Sequence, residues 1–185
     1  MTQWFEDVAL DVPYPLGSHI FTEADILRFG AGYDPQYFHT DPDLARHSHF
    51  GGLVASGWHT AAIGQRLMVD ALGAEAERLE SNGESAGVSG PSPGVNSLTF
   101  PHPVRPGDTL SYTLTVTGKR PSNSLPGWGI LVNVIEASNQ HGTPVYRAEL
   151  VAFSKLRDYR PSLRLRLFEA LTRLPGLGKL LANRK

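Results

Sequence analysis

Two side chains five residues apart, Asp34 and His39, have the chemistry needed to move protons. A carboxyl group and an imidazole have ordinary pKa values of about 3.9 and 6.5, so one can accept a proton while the other supplies one. Five residues do not align two side chains on a regular helix, but Pro35 keeps the intervening chain non-helical and able to curl both toward one point. The pair predicts proton-transfer chemistry; the alternative is that Asp34 is a turn or cap residue.

The dipeptide Ser56-Gly57 predicts the start of a helix, because serine is a favoured N-cap residue. The first N–H groups of a helix lack partners within it, and this end carries partial positive charge. Such a terminus can hold a carbonyl oxygen that gains negative charge, and Gly57 lets a substrate approach the backbone closely. With the acid and the histidine, it would supply the groups that add water to, or remove it from, a carbon chain next to a thioester carbonyl.

Helical signals surround these residues. Thr22 is a candidate N-cap for a short helix over about residues 23–32, with acids in its first turn. Pro35 and Pro42 predict an ordered irregular loop over residues 34–41, followed by a brief turn over residues 42–46 with Asp41 or Thr40 as its cap. From Ser56 the apolar spacing predicts a long helix that ends at Gly73, and its apolar residues cover enough of the circumference to indicate a buried helix.

Strand patterns supply what would wrap around that helix. One strand ends near Phe21, and four β-rich segments follow at residues 95–101, 109–118, 128–138 and 145–156. We therefore predict an α+β fold with about five antiparallel strands around one long central helix. Residues 74–94 are rich in Ala, Glu, Gly, Ser and Pro, which predicts a mobile connection or a lid, most mobile near residues 81–93.

The composition limits the classes of function. At 185 residues, the chain is long enough for one core, and we assign residues 1–156 to a single domain. A net charge of −1 gives no general attraction to nucleic acid. The absence of cysteine excludes disulfides and thiolate chemistry. No secretory signal or apolar run of membrane-spanning length is evident, so we expect a cytoplasmic protein.

Residues 157–185 differ from this domain in charge. They contain eight Lys or Arg residues against two acids, a local charge of +6 that leaves −7 on residues 1–156. Ser162 is a candidate N-cap for an amphipathic helix in which Leu163, Leu167, Leu171 and Leu174 share one stripe. We expect this basic helical tail to dock on the domain or on a second subunit; the alternative is contact with a membrane surface or another partner.

Two stretches carry a resemblance to a known family: FTEADILRFGAGYDPQYFHTDPDLARHSHFGGLVASGWHT, within residues 19–60, and GVNSLTFPHPVRPGDTL, within residues 94–112. They resemble the MaoC-like family of (R)-specific enoyl-CoA hydratases and acyl dehydratases. The resemblance implies a hot-dog fold, a homodimer, an acyl-CoA or acyl-carrier-protein thioester as substrate, and no metal or other cofactor. It also implies that Asp34 and His39 hold and activate a water molecule, and that the Gly57 N–H binds the thioester oxygen.

The chain departs from the pattern Asp-x-Asn-Pro-x-His that is common in the family, because Gln36 and Tyr37 replace the asparagine and the proline. We expect both residues, together with Ser56 and Trp58, to bind substrate.

Arg105 is a turn residue in the RPGD sequence and a candidate contact for a CoA phosphate. Two alternatives to a hydratase stay open: a thioesterase on the same fold, and a non-catalytic subunit that binds acyl thioesters.

Overall fold

The computed structural model describes residues 4–160, which form one antiparallel five-stranded sheet and a long helix. A 3₁₀ turn at Phe5–Asp7 precedes the main elements. In chain order, these are β1 (Tyr14–Ile20), α1 (Glu23–Tyr33), α2 (Tyr37–Thr40), α3 (Pro42–Ala45), α4 (Gly57–Ser81), β2 (Gly94–Thr99), β3 (Thr109–Pro121), β4 (Trp128–Ser138) and β5 (Pro144–Lys155). The strand order in space is β1-β3-β4-β5-β2. The predicted α+β class and the five predicted strands are confirmed.

The sheet presents one apolar face to the core. In β3, Leu110, Tyr112, Leu114 and Val116 are buried, and the residues between them are exposed or half-buried. Since successive side chains on a strand point to opposite faces, this alternation fixes which face of β3 is inward. Because β3 pairs with both β1 and β4, it sets the register of that half of the sheet.

Helix α4 packs on this face against β1, β3 and β5. The helix comes close to β3 at Gly64, where a Cβ atom would lie 3.0 Å from the Tyr112 ring. The prediction of a buried helix holds for one side only. The buried residues of α4 are His59, Thr60, Gly64 and Leu79. Val69, on the opposite side, is 53% exposed.

Three predicted helix starts are confirmed by their caps. The Thr22 hydroxyl accepts the Asp25 N–H at the start of α1. The Asp41 carboxylate accepts two backbone N–H groups of α3, and the Ser56 hydroxyl accepts the Trp58 N–H of α4. The predicted irregular loop over residues 34–41 is partly wrong, since α2 forms a single helical turn within it. Pro35 lies before that turn, where proline does not interrupt it.

The predicted end of α4 at Gly73 is wrong, because the helix continues to Ser81. A glycine inside a helix costs about 1 kcal/mol relative to alanine. The next residues, AEAERLE, are strong helix formers, and Arg78 donates two hydrogen bonds of 2.8 Å to Glu75 one turn earlier. Their summed propensity outweighs one glycine.

The connection between α4 and β2 also differs from the predicted mobile connection or lid. Residues 74–81 belong to α4, and part of the remainder pairs with β5. The Gly90 N–H donates to the Phe153 carbonyl at 2.7 Å, and the Lys155 N–H donates to the Val88 carbonyl at 2.9 Å. These bonds fix this part of the connection along the strand.

The predicted basic tail lies almost entirely outside the described residues. At its start, the Arg157 backbone N–H donates to the Glu6 carboxylate, and the Arg157 guanidinium donates to the Asp7 carboxylate, close to the N-terminus.

None of the helices within residues 4–160 is long and apolar enough to cross a membrane.

His59 lies on the inner side of α4 in an aromatic environment. Its ring stacks on Phe29 with a centroid separation of 4.6 Å and meets the edge of Phe21 at 4.8 Å. Its Nδ1 atom has no hydrogen-bond partner within the described residues. Burial lowers the pKa of His59 to about 4, and nearby His19 contributes to this lowering. The folded protein therefore favours the neutral ring.

The free energy of unfolding should consequently decrease as the pH falls from about 6.5 to about 4. In this range the unfolded chain binds a proton on His59 that the folded state excludes. The full decrease in the free energy of unfolding amounts to about 3 kcal/mol. His59→Phe keeps a ring and removes the titration, so its urea midpoint should depend less on pH than that of the parent. The control is His47→Gln at an exposed position. Equal pH dependence in the parent and His59→Phe would contradict this account.

Candidate active site

A cavity of about 380 Å³ lies at the N-terminal end of α4. Three parts of the chain meet there: the α1–α2 junction, the start of α4 and the segment after β2. The residues that line the cavity are Asp34, Gln36, Phe38, His39, Phe50, Val54, Ala55, Ser56, Gly57, Trp58, Thr60, Phe100, Pro101, His102, Pro103, Val104 and Val145. The cavity thus combines a small polar group of side chains with largely apolar walls.

Asp34 terminates α1, and its carboxylate is held by two side chains. Its backbone N–H donates to the Gly30 carbonyl, which fixes the cap. Gln36 Nε2 donates to Asp34 Oδ1 at 2.9 Å, and Ser56 Oγ donates to Oδ2 at 2.7 Å. Burial acts to raise the pKa of Asp34, but the hydrogen bonds from Gln36 and Ser56 and the adjacent His39 together hold it below its ordinary value. Asp34 is therefore a carboxylate at neutral pH.

His39 lies on α2 and is buried, with its ring orientation set by the backbone. Its Nδ1 atom lies 2.7 Å from the Val54 carbonyl oxygen. Because a carbonyl only accepts, Nδ1 must carry the proton, and in the neutral ring Nε2 keeps its lone pair. Nε2 lies 3.4 Å from Asp34 Oδ2. The predicted Asp34–His39 proximity is therefore present, with two acceptor atoms side by side at the cavity.

Gly57 is the first residue of α4, and its N–H has no hydrogen-bond acceptor among the described residues. The Phe100 ring packs over it so closely that a Cβ atom would lie 2.6 Å from the ring. An unpaired N–H at the positive end of a 25-residue helix is suited to hold an oxygen that gains negative charge.

Together, these groups can hold a water molecule and a carbonyl group in one place. Asp34 Oδ2 and His39 Nε2 are both acceptors, so one water can donate a hydrogen to each. The Gly57 N–H supplies a donor for a carbonyl oxygen. The arrangement is suited to adding or removing water next to a polarised carbonyl.

The predicted substrate-binding residues fall into two groups. Gln36, Ser56 and Trp58 line the cavity, and Trp58 is 63% exposed at its mouth. Tyr37 and Arg105 do not line it. The Tyr37 ring instead contacts the edge of Phe38.

Arg105 lies on an exposed turn, where its guanidinium donates to the Phe50 carbonyl at 2.7 Å and its N–H donates to Asp108. Its turn role is confirmed, and its contact with CoA stays a prediction.

Sequence reasoning missed the wall that follows β2. Phe100 and His102 line the cavity, and the His102 Nδ1–H donates to the Pro144 carbonyl at 2.7 Å. Their local signal is weak, since FPHP resembles an ordinary loop. Only the pairing of β2 with β5, on the far side of the sheet from β1, brings this segment to the start of α4.

Comparison with known proteins identifies this architecture as the hot-dog fold. The crystal structure of a MaoC-like dehydratase from Rhodospirillum rubrum is similar with a TM-score of 0.66 and 34% identity, over 86% of this chain and 99% of that one. An (R)-specific enoyl-CoA hydratase from Rhodospirillum rubrum is 30% identical over 128 residues, which cover 64% of this chain and 72% of that protein.

Uncharacterized protein YdeM of Bacillus subtilis (strain 168) is 34% identical over 132 residues, covering 71% of this chain and 84% of that protein. Residues 9–127 match the MaoC like domain. The chain belongs to the MaoC-like dehydratase family, a family that includes hydratases and dehydratases. The predicted resemblance is confirmed.

The close approach of Phe100 to Gly57 predicts the effect of adding one methyl group. Gly57→Ala should destabilise the protein by about 1–3 kcal/mol, because its Cβ would overlap the Phe100 ring. In a Phe100→Ala background the same Gly57→Ala change should cost much less, because the ring that its Cβ would meet is gone. Urea denaturation measures both effects.

Gly73→Ala is the matched control on the same helix, since nothing lies within 4 Å of its Cβ position. It should stabilise the protein by about 0.5–1 kcal/mol. If Gly57→Ala were as stable as Gly73→Ala, the packing described for Phe100 would be wrong.

The hydrogen bond from Gln36 makes a separate prediction about Asp34. Gln36→Leu removes a donor to the carboxylate, so the pKa of Asp34 should rise. Carbon-13 shifts of the Asp34 carboxyl group, followed against pH by NMR, would measure the change. Tyr37→Phe is the control, because Tyr37 makes no contact with Asp34 in the described structure. An unchanged titration in Gln36→Leu would show that this bond is absent in solution.

Proposed function

We propose that the protein catalyses the reversible hydration of a 2-enoyl-CoA thioester to the (R)-3-hydroxyacyl-CoA. The observation that carries the proposal is the pair of acceptors, Asp34 Oδ2 and His39 Nε2, 3.4 Å apart in a cavity that also contains the unpaired Gly57 N–H. The relative from Rhodospirillum rubrum that is named an (R)-specific enoyl-CoA hydratase supports the choice of reaction and of product chirality.

In the proposed reaction, the thioester oxygen accepts a hydrogen bond from the Gly57 N–H, which draws electrons from the C2–C3 double bond. A water held by Asp34 and His39 attacks C3 and transfers one proton to His39 Nε2. The resulting enolate is stabilised at the start of α4. The proton on Nε2 then moves to C2, so that one hydrogen and one hydroxyl are added in total.

Asp34 has a supporting part in this scheme. The pKa of Asp34 lies below its ordinary value, which makes the carboxylate a weak base and favours His39 as the proton acceptor. The carboxylate orients the water and stabilises the imidazolium that forms beside it. Gln36 and Ser56 keep it ionised and in position.

The walls of the cavity are suited to an acyl chain, because Phe38, Phe50, Val54, Phe100 and Val145 supply apolar surface around the polar group. The CoA portion would leave through the mouth beside Trp58. A carrier-protein thioester is the alternative form of the substrate. The homodimer implied by the family resemblance stays a prediction.

The test is the loss of 2-enoyl-CoA absorbance with crotonyl-CoA as substrate. His39→Ala and Asp34→Asn should each lower kcat/KM by about 100-fold or more, because each removes a group that acts on the water. Asp43→Asn is the control. Asp43 is an exposed acid on α3 that pairs with Arg46, so its substitution should leave the rate unchanged. Equal rates in all four proteins would overturn the proposed site.

A thiol reagent in the same assay separates hydration from thioester hydrolysis. The chain contains no cysteine, so any signal reports released CoA. A hydratase should consume the double bond without releasing CoA. CoA release that depends on Asp34 would instead support a thioesterase.

A further inference from the structure

The first turn of α4 is joined to α1 on both sides of Gly57. On one side, the Ser56 hydroxyl donates to Asp34, the residue that ends α1. On the other side, the His59 ring stacks on the Phe29 ring of α1, with a centroid separation of 4.6 Å and an interplanar angle of 6°. The Asp34 carboxylate and the Gly57 N–H therefore lie on two helices that both contacts hold together.

The sheet supports His59 on another side of its ring. The Phe21 ring meets it with a centroid separation of 4.8 Å and an interplanar angle of 61°. Phe21 is fully buried just after β1, where its backbone N–H donates to the Asp108 carbonyl and its carbonyl accepts the Gly107 N–H. Because a close-packed interior transmits displacements, Phe21 gives His59 a fixed support. His59 thus relates the position of the sheet to α1 through Phe29.

The stack constrains the helices in a way that the Ser56 hydrogen bond cannot. One hydrogen bond fixes the distance between two atoms and leaves the angle between α1 and α4 free to change. Phe29 lies five residues before Asp34, about 7 Å away along α1 at about 1.5 Å per residue. Two contacts at this separation fix the angle as well as the distance.

His59 acts through the aromatic surface of its ring. The residue is 5% exposed, and its Nδ1 atom has no hydrogen-bond partner in the part of the chain that the structure describes. Aromatic rings prefer offset-stacked or edge-to-face arrangements, and His59 makes one stacked and one edge contact. A phenylalanine ring at this position should therefore hold α1, whereas an aliphatic side chain should not.

We propose that His59 is a positioning residue for the hydration reaction. Its stack on Phe29 sets the separation of the Asp34 carboxylate and the Gly57 N–H. This inference rests on the proposed function, in which Asp34 holds the water and Gly57 holds the thioester oxygen. A change in their separation misaligns the water and the substrate, and a misplacement of about 1 Å can lower a rate about 100-fold.

The first test compares His59→Leu with His59→Phe at neutral pH. Leucine is apolar but has no ring face, so kcat for crotonyl-CoA should fall about 10- to 100-fold. KM should change by less than about twofold, because His59 is not among the described residues that line the cavity. His59→Phe restores the ring and should retain about half of the parent kcat or more.

Leu79→Ala is the control for a general loss of stability. Leu79 is buried at the far end of α4, so its truncation should lower the urea midpoint while kcat stays at the parent value. Phe29→Leu breaks the stack from the α1 side and should reproduce the loss of kcat. Because Phe29→Leu and His59→Leu remove the same contact, the double variant should lose little more kcat than either single variant.

The pKa of Asp34 gives a readout that does not require turnover. If the stack is lost, the hydrogen bond from Ser56 weakens, and this bond helps to hold the pKa of Asp34 below its ordinary value. The pKa of Asp34, followed by carbon-13 NMR, should therefore be higher in His59→Leu than in His59→Phe. Neither variant carries an imidazole at position 59, so titration of that ring does not contribute to the difference.

The proposal is overturned if His59→Leu retains the parent kcat, or if His59→Phe loses as much kcat as His59→Leu. It is also overturned if the losses in Phe29→Leu and His59→Leu add in the double variant. Inactivity of the parent enzyme would instead refute the hydratase proposal. In that case, an equal pKa of Asp34 in the two His59 variants would show that the stack does not position the carboxylate.

Discussion

The Ser56 hydroxyl connects the long helix to the acid of the candidate site. It accepts the Trp58 N–H, which caps α4, and it donates to Asp34, which ends α1. The residue is 1% exposed, so water does not compete effectively for either bond. One buried hydroxyl thus fixes the distance between a carboxylate and the helix end where the unpaired Gly57 N–H lies. Both groups must be held in this way if they are to act on the same substrate.

The approach to α4 positions His39 by backbone contacts. The Val54 N–H donates to the Phe38 carbonyl, and the Val54 carbonyl accepts the proton on His39 Nδ1. On the other side of α2, Gly30 allows a contact in which a Cβ atom would lie only 2.5 Å from the His39 carbonyl oxygen. The His39 backbone is therefore held against α1, and the tautomer of its imidazole is set by a carbonyl group that cannot change its own protonation state.

Local signals were sufficient for the parts of the site that lie close in sequence. Thr22, Asp41 and Ser56 are cap residues with a direct chemical reason to start helices, and the structure uses each of them as a cap. The end of α4 was missed because Gly73 is a strong local signal that a longer run of good helix formers overrides. Phe100 was missed for a different reason, since its contact with Gly57 depends on strand order, which no local pattern encodes.

Tyr112 links the sheet to the helix that begins at the candidate active site. Its ring faces the sheet core and packs on Gly64, while its hydroxyl donates to the backbone of α4. Burial raises the pKa of Tyr112, so the hydroxyl stays protonated and remains a donor. A larger residue at position 64 would displace this ring, since a Cβ atom there would already lie 3.0 Å from it. Gly64 and Tyr112 thus set the distance between the sheet and the helix that carries the Gly57 N–H.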